Sequence, residues 1–297
     1  MCMLILGCGY LGQRVAARYL KTGIRVTGVV RSQRSAELLA KQGVVPLIAD
    51  LDRHSLQQLP LSGSSLFHFV PPLAEGNVDS RTVNIVNEFR RGGSPRRLVY
   101  LSTTGVYGDC GGGWVDESCL AAPMAARAKR RWDAEQQLRA WSRESGCELV
   151  ILRVAGFYGP GKLPLERLRK GLPMVREKEA PFSNRIHVDD LVSVCMAAMQ
   201  LGRAGEIYNV SDGNPTTMTD YFDRIADLAG LARPPKISLQ EAHRQLSPGM
   251  LSYMQESRRL RNGKMLDELK TSLQFPDLES GLPACFADSR DGTGAGC

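Results

Sequence analysis

The sequence predicts an α/β protein in which a doubly wound parallel sheet carries a smaller lobe interleaved with its C-terminal part. Three observations predict it. Short apolar runs alternate with amphipathic ones, each apolar run is bounded by turn or charged residues, and a glycine-rich turn joins the first apolar run directly to the first amphipathic one. The strands expected are Met3–Leu6, Val26–Val30, 44–48, 66–70, 98–101 and 149–152, short enough to be buried on both faces. Helices are expected over 13–21, 35–41, 82–90 and 130–144, where apolar residues recur at helical spacing. Six strands with helical crossovers place a ligand beyond the carboxyl ends of the strands.

After about residue 155 the alternation weakens and Gly and Pro become frequent. Residues 188–199 and 207–210 still read as single elements. The expected organisation is a dinucleotide-binding domain over 1–158, completed by 184–210, with a substrate lobe formed by 159–183 and 211–287. The small, polar residues 288–297 read as a disordered tail.

Composition excludes several classes. In 297 residues, 43% are hydrophobic and 23% charged, with 30 Gly and 16 Pro, which is an ordinary globular balance and neither collagen nor coiled coil. The 38 Lys and Arg against 31 Asp and Glu give a net charge of +7, which favours anionic ligands. The basic runs are not interleaved with aromatic residues, so no nucleic-acid partner is expected. Eight scattered cysteines form no C-x-x-C pair, and His54, His68 and His243 have no ligand-like spacing, so neither a disulfide framework nor a metal site is expected. No apolar stretch reaches the length of a membrane span and the apolar start lacks a basic flank, so the expected location is cytoplasmic, away from membranes.

Gly7-Cys8-Gly9-Tyr10-Leu11-Gly12 is the sharpest local signal. Gly7 permits a tight turn, Gly9 lets a pyrophosphate approach the backbone, and Gly12 allows the helix to pack closely on the strand. Between a strand and a helix this spacing reads as a dinucleotide-binding turn rather than a purely structural one. At the end of the second strand the chain offers Arg31-Ser32 where a site selective for the unphosphorylated cofactor would offer a carboxylate. A guanidinium pairs with a 2′-phosphate, so NADP is expected ahead of NAD, the alternative being a solvated arginine. Asp50, after the third strand, either accepts from the adenine amino group or begins a turn.

Ser102-Thr103-Thr104-Gly105-Val106-Tyr107-Gly108, Arg153-Val154-Ala155-Gly156-Phe157-Tyr158-Gly159-Pro160-Gly161, Arg185-Ile186-His187-Val188-Asp189-Asp190-Leu191 and Tyr208-Asn209-Val210-Ser211 occur in that order. Together with the glycine turn they make residues 1–281 resemble the extended short-chain dehydrogenase/reductases, the NAD-dependent epimerase/dehydratase group. The resemblance implies a Rossmann fold and a nicotinamide cofactor held through Gly7, Gly9, Tyr10, Leu11, Gly12, Arg31, Ser32, Asp50 and Lys129. It also implies oxidoreductase or epimerase chemistry on a small hydroxylated substrate, such as a nucleotide-linked sugar, and admits a homodimer.

By the same resemblance Thr103 polarises the reacting oxygen, and Lys129 is the lysine of the family's Tyr-x-x-x-Lys, binding the nicotinamide ribose. The tyrosine position, however, is Ala125. That departure, the tight Gly7-x-Gly9 spacing and the short chain resemble the atypical subgroup. Tyr107 and Tyr158 are read either as cleft phenols or as packing residues, with Tyr107 and Lys129 as candidate substitute acids. His187 reads as structural, with Asp189 and Asp190 capping the helix after it. Residues 258–264, rich in Arg and Lys, either grip a phosphorylated substrate or form a solvated helix start. The expected function is therefore an NADP-preferring oxidoreductase or epimerase, the alternative a cofactor-binding sensor without catalysis.

Overall fold

The computed structural model describes residues 2–52 and 59–287. Seven strands form its central sheet: Met3–Leu6 (β1), Val26–Val30 (β2), Val45–Ile48 (β3), Ser65–His68 (β4), Arg97–Thr103 (β5), Glu148–Val154 (β6) and Ile207–Val210 (β7). They lie in the order β3-β2-β1-β4-β5-β6-β7, and every neighbouring pair is parallel. The winding reverses between β1 and β4, which opens a crevice at their carboxyl ends where such sheets take ligands. This is a Rossmann-like α/β fold. It has one strand more than the six expected, because the separate element 207–210 pairs with β6.

The crossover helices are Tyr10–Lys21 (α1), Gln33–Lys41 (α2), Ser80–Gly92 (α3) and Ala126–Ser145 (α4), followed later by Val188–Leu201 (α5). All four crossover helices begin earlier than their apolar periodicity indicates, because their caps lie upstream. Gly9 is the N-cap of α1, Ser32 caps α2 through Ser35 N–H, and the Asp79 carboxylate accepts from the N–H groups of Arg81 and Thr82 ahead of α3. Strands β5 and β6 run one residue earlier and two residues later than expected, because charged or polar residues stand at their ends: Arg97 and Glu148 at the start, Ser102, Thr103 and Arg153 towards the end. Arg97 and Glu148 pair across the sheet at 2.6 Å, a register that apolar content does not reveal.

Both faces of the sheet are covered. Val15, Ala16 and Tyr19 of α1 join Leu191, Val194 and Ala198 of α5 on one side. On the other, Ile85 and Phe89 of α3 meet Leu138 and Trp141 of α4, with the Phe89 and Trp141 rings 4.7 Å apart. A third apolar cluster gathers Tyr158, Leu168, Met174, Val175, Tyr221, Phe222 and Leu282. Three short parallel pairs tie distant segments together: Arg185–His187 with Gly156–Tyr158, Lys236–Ile237 with Met174–Val175, and Arg259–Leu260 with Trp114–Val115.

Among the described residues no helix is long and apolar enough to cross a membrane, and no His, Cys, Asp and Glu group is arranged to hold a metal. The seven described cysteines are all free thiols. His54, Cys297 and the expected tail 288–297 lie outside the described residues.

Candidate functional site

The turn after β1 has the geometry that a dinucleotide needs. Gly7 adopts φ +78°, and a Cβ there would lie 3.0 Å from the Val70 backbone nitrogen. A Cβ on Gly12 would lie 3.1 Å from the Gly7 carbonyl oxygen, so the glycine sets how closely α1 approaches the strand. Gly9 differs: a Cβ there would meet nothing within 4 Å. That open space lies at the amino end of α1, where Gly9 provides no side-chain cap and the helix dipole is positive. The Cys8 side chain is buried inward and needs Gly28 of β2, where a Cβ would stand 2.9 Å from its sulfur. The residues present therefore fit a diphosphate approached through main chain.

Tyr10 and Leu11 complete the turn. Leu11 is buried in the core, whereas Tyr10 reaches outward, donating to the Pro160 carbonyl at 2.8 Å and stacking on Phe157 at 6.4 Å. Arg31 is exposed at the end of β2, beside the α2 cap Ser32, whose hydroxyl accepts from Ser35 N–H at 3.3 Å. Asp50 forms a turn, its carboxylate accepting from Asp52 N–H at 3.1 Å.

A cleft of about 670 Å³ opens at the carboxyl ends of β5 and β6. Its walls include Pro71 and Pro72 after β4, Thr103 at the end of β5 and Gly105 beyond it, and Phe157 after β6. Thr103 Oγ1 accepts from Gly105 N–H at 3.2 Å, which leaves its own proton to donate towards a ligand.

The cleft face of α4 carries Arg127, Arg130 and Arg131. Lys129 is not among them: its side chain is exposed on another face, so the structure does not bring it to the cleft as the Tyr-x-x-x-Lys alignment implied. Lys129 stands two residues from both Arg127 and Arg131, which puts it about 200° around the helix from each. Arg131 instead reaches the strand ends, donating to the Val70 and Leu101 carbonyls at 3.1 and 3.0 Å.

Tyr107 also requires correction as a catalytic candidate. It is 2% exposed and donates to Asn209 at 2.8 Å, and burial pushes its phenol up to about 12. Its ring lies 4.7 Å from the Arg153 guanidinium. Arg153 is in turn paired at 2.8 Å with Glu135, an ion pair almost wholly withdrawn from water that also receives the Ser102 hydroxyl. Tyr107 thus belongs to a buried network beneath the cleft. Tyr158 is likewise buried and donates to the Asp277 carbonyl at 3.3 Å.

His187 caps α5 through Asp189 N–H. Asp190 does not cap that helix. It accepts from the N–H groups of Gln274 and Phe275 at 2.7 and 2.9 Å, anchoring a distant segment. The basic run at 258–264 is dispersed. Arg258 lines the cleft and pairs with Glu256 at 3.0 Å, Arg259 donates to the Gly112 carbonyl, and Lys264 pairs with Glu206 at 2.6 Å.

Asp212, unremarked in sequence, is 5% exposed and accepts from Asn214 N–H at 3.0 Å through one oxygen. Burial pushes its carboxyl up to about 7. The folded protein therefore keeps a proton that the unfolded chain loses near pH 4, and stability falls as pH rises from about 4 to 7. Asp212→Asn is expected to remove that fall, gaining on the order of 3 kcal/mol over wild type at pH 8 and nothing at pH 4. Urea unfolding at the two pH values checks it, and equal gaps at both would contradict it.

Fold and site together define a Rossmann-like α/β protein whose glycine turn fits a dinucleotide. A sequence profile of the NAD dependent epimerase/dehydratase family matches residues 73–211. The chain belongs to the NAD-dependent epimerase/dehydratase family, within the extended short-chain dehydrogenase/reductases that its motifs resemble. A functionally unknown conserved protein from Silicibacter pomeroyi is 31% identical in sequence and superposes with a TM-score of 0.83, over 97% of this chain and 99% of that one. Protein YeeZ of Escherichia coli K12 is 25% identical over 287 residues, covering 92% of this chain and 96% of YeeZ. The DesIV dTDP-glucose 4,6-dehydratase of Streptomyces venezuelae, solved with NAD and TYD bound, shares the fold with a TM-score of 0.79 at 22% identity, over 99% of this chain and 98% of DesIV.

Proposed function

We propose that the protein is a nicotinamide-dependent oxidoreductase or epimerase, NADP-preferring, acting on a small hydroxylated substrate held in the cleft beside Thr103. The observation that carries this reading is the Gly7–Gly12 turn, whose only uncrowded glycine, Gly9, faces open space at the amino end of α1. In this reading Gly7, Gly9 and Gly12 hold the diphosphate bridge. Arg31 and Ser32 meet the 2′-phosphate of the adenosine ribose. The bound nicotinamide supplies or accepts a hydride.

The chain's own residues do the rest. Thr103 donates its hydroxyl proton to the reacting oxygen and so orients the substrate carbon. Arg131, fixed on the carbonyls that end the two strands, places positive charge at the cleft floor, where negative charge on an oxygen is stabilised. Pro71, Pro72 and Phe157 contribute apolar surface to the cleft lining.

One observation favours a second reading, a cofactor-binding sensor: position 125 is alanine, and α4 turns arginines rather than a phenol into the cleft. The two separate by turnover. NADPH binding followed by saturable, substrate-dependent loss of reduced-nicotinamide absorbance, across a panel of sugar nucleotides, ketones and aldehydes, supports the enzyme. Binding without turnover supports the sensor.

The cofactor preference has its own test. Arg31→Asp is expected to lower NADPH affinity at least ~10-fold relative to NADH, since a carboxylate repels the 2′-phosphate that a guanidinium attracts. An unchanged affinity ratio would remove Arg31 from the site.

A further inference from the structure

Among the described residues five arginines line the cleft, and four of them are engaged by hydrogen bonds to carbonyl or hydroxyl oxygens or by an ion pair. Arg131 is held by strand-end carbonyls, Arg130 donates to the Gly76 carbonyl at 2.6 Å, Arg127 donates to Ser252, and Arg258 is paired with Glu256. Arg185 stands apart. Its Nη1 finds only the Asn184 carbonyl at 3.4 Å, its Nη2 meets the Met218 sulfur, and its Nε is withdrawn from solvent with no acceptor. Among the described residues no carboxylate forms an ion pair with it; the buried Asp212 carboxyl acts on it only through space.

The guanidinium is nevertheless held in place. It lies 4.3 Å over the Tyr221 ring, and a Cβ on Gly156 would come within 2.4 Å of its Nη1. A fixed, partly desolvated cation with no carboxylate in ion-pair contact is costly, and burial lowers its pKa against the opposing pull of Tyr221 and Asp212. Such a group matches a ligand that brings the missing oxyanion, because its planar fork donates two parallel hydrogen bonds to a carboxylate or phosphate.

We propose that Arg185 is the substrate-anchoring residue of the cleft, receiving a carboxylate or phosphate ester carried by the substrate itself and separate from the phosphates of the cofactor. This rests on the reading of the cleft as the substrate side of a dinucleotide site. Arg185 and Thr103 line the same 670 Å³ space, so the anion and the reacting oxygen belong to one small molecule. Tyr221, Tyr253 and Phe182, which also line that space, give it apolar walls.

The test uses the full chain with NADP⁺ present to occupy the glycine turn. The probes are inorganic phosphate and acetate, each raised from about 1 to 50 mM with ionic strength held constant by sodium chloride. Wild type is expected to gain ~2–4 °C in unfolding midpoint with at least one probe, by linkage to binding. A rise with phosphate alone assigns a phosphate ester, and a rise with acetate alone assigns a carboxylate.

Arg185→Gln is expected to abolish the rise. Gly156→Ala, which keeps the charge but displaces the guanidinium, is expected to weaken it, and it decides the matter should Arg185→Gln fail to fold. No rise with either anion, or a rise that survives in both variants, overturns the assignment. Direct titration of the same samples with NADP⁺ keeps the two ideas apart, since loss of cofactor binding sinks the dinucleotide reading while the Arg185 comparison still stands.

Discussion

Gly9→Asp is expected to leave the protein folded and to weaken nicotinamide dinucleotide binding by at least ~100-fold, about 2.7 kcal/mol. Both halves follow from the same local geometry. Position 9 has φ −91° and ψ −143°, so no left-handed conformation demands glycine, and a Cβ meets nothing within 4 Å. It is also the N-cap of α1, where aspartate stabilises a helix better than glycine does, by a few tenths of a kcal/mol. The new carboxylate would then occupy the open space that the diphosphate needs and repel it. Denaturation midpoints and calorimetric titration with NADPH check the two halves. A purely structural turn would give a variant equal to wild type in both.

Breaking the buried ion pair under the cleft is expected to have the largest effect on stability. Glu135→Leu leaves the Arg153 guanidinium, 2% exposed as a residue, without its partner, a loss of about 3–5 kcal/mol. Ser102 loses its acceptor as well. The double variant Glu135→Leu with Arg153→Met is expected to recover most of the loss, because two apolar side chains need no counter-charge. Urea denaturation of wild type, the two single variants Glu135→Leu and Arg153→Met, and the double variant measures the coupling. If Glu135→Leu is within 1 kcal/mol of wild type, the pair does not hold the cleft floor as described.

How much of this was legible in the sequence depends on how local the cause is. The run from β1 through the glycine turn into α1 is specified by neighbours in the chain, so its elements and its chemistry are readable there. The phase of α4 is not. A Lys four residues after position 125 satisfies a spacing, yet which residues face the cleft depends on how Ala128, Leu138 and Trp141 pack, and that turns Arg127 and Arg131 inward instead of Lys129. An i,i+4 arginine pair at 127 and 131 was the available signal.

Tyr107 followed the strand end as expected, but its hydroxyl is claimed by Asn209, 102 residues away. Arg185 was read as part of a motif because nothing adjacent in sequence shows that its guanidinium lacks a carboxylate. The seventh strand and the role of Asp190 in holding residues 274 and 275 are also set by distant partners.

The central claim is that the turn at residues 7–12 grasps a dinucleotide. Calorimetric titration of the wild-type protein with NADPH tests it most directly. One saturable site per chain, with a Kd of about 100 μM or tighter and weaker binding of NADH, is the predicted result. No heat of binding with either nucleotide at millimolar concentration, and no change in unfolding midpoint, would contradict it.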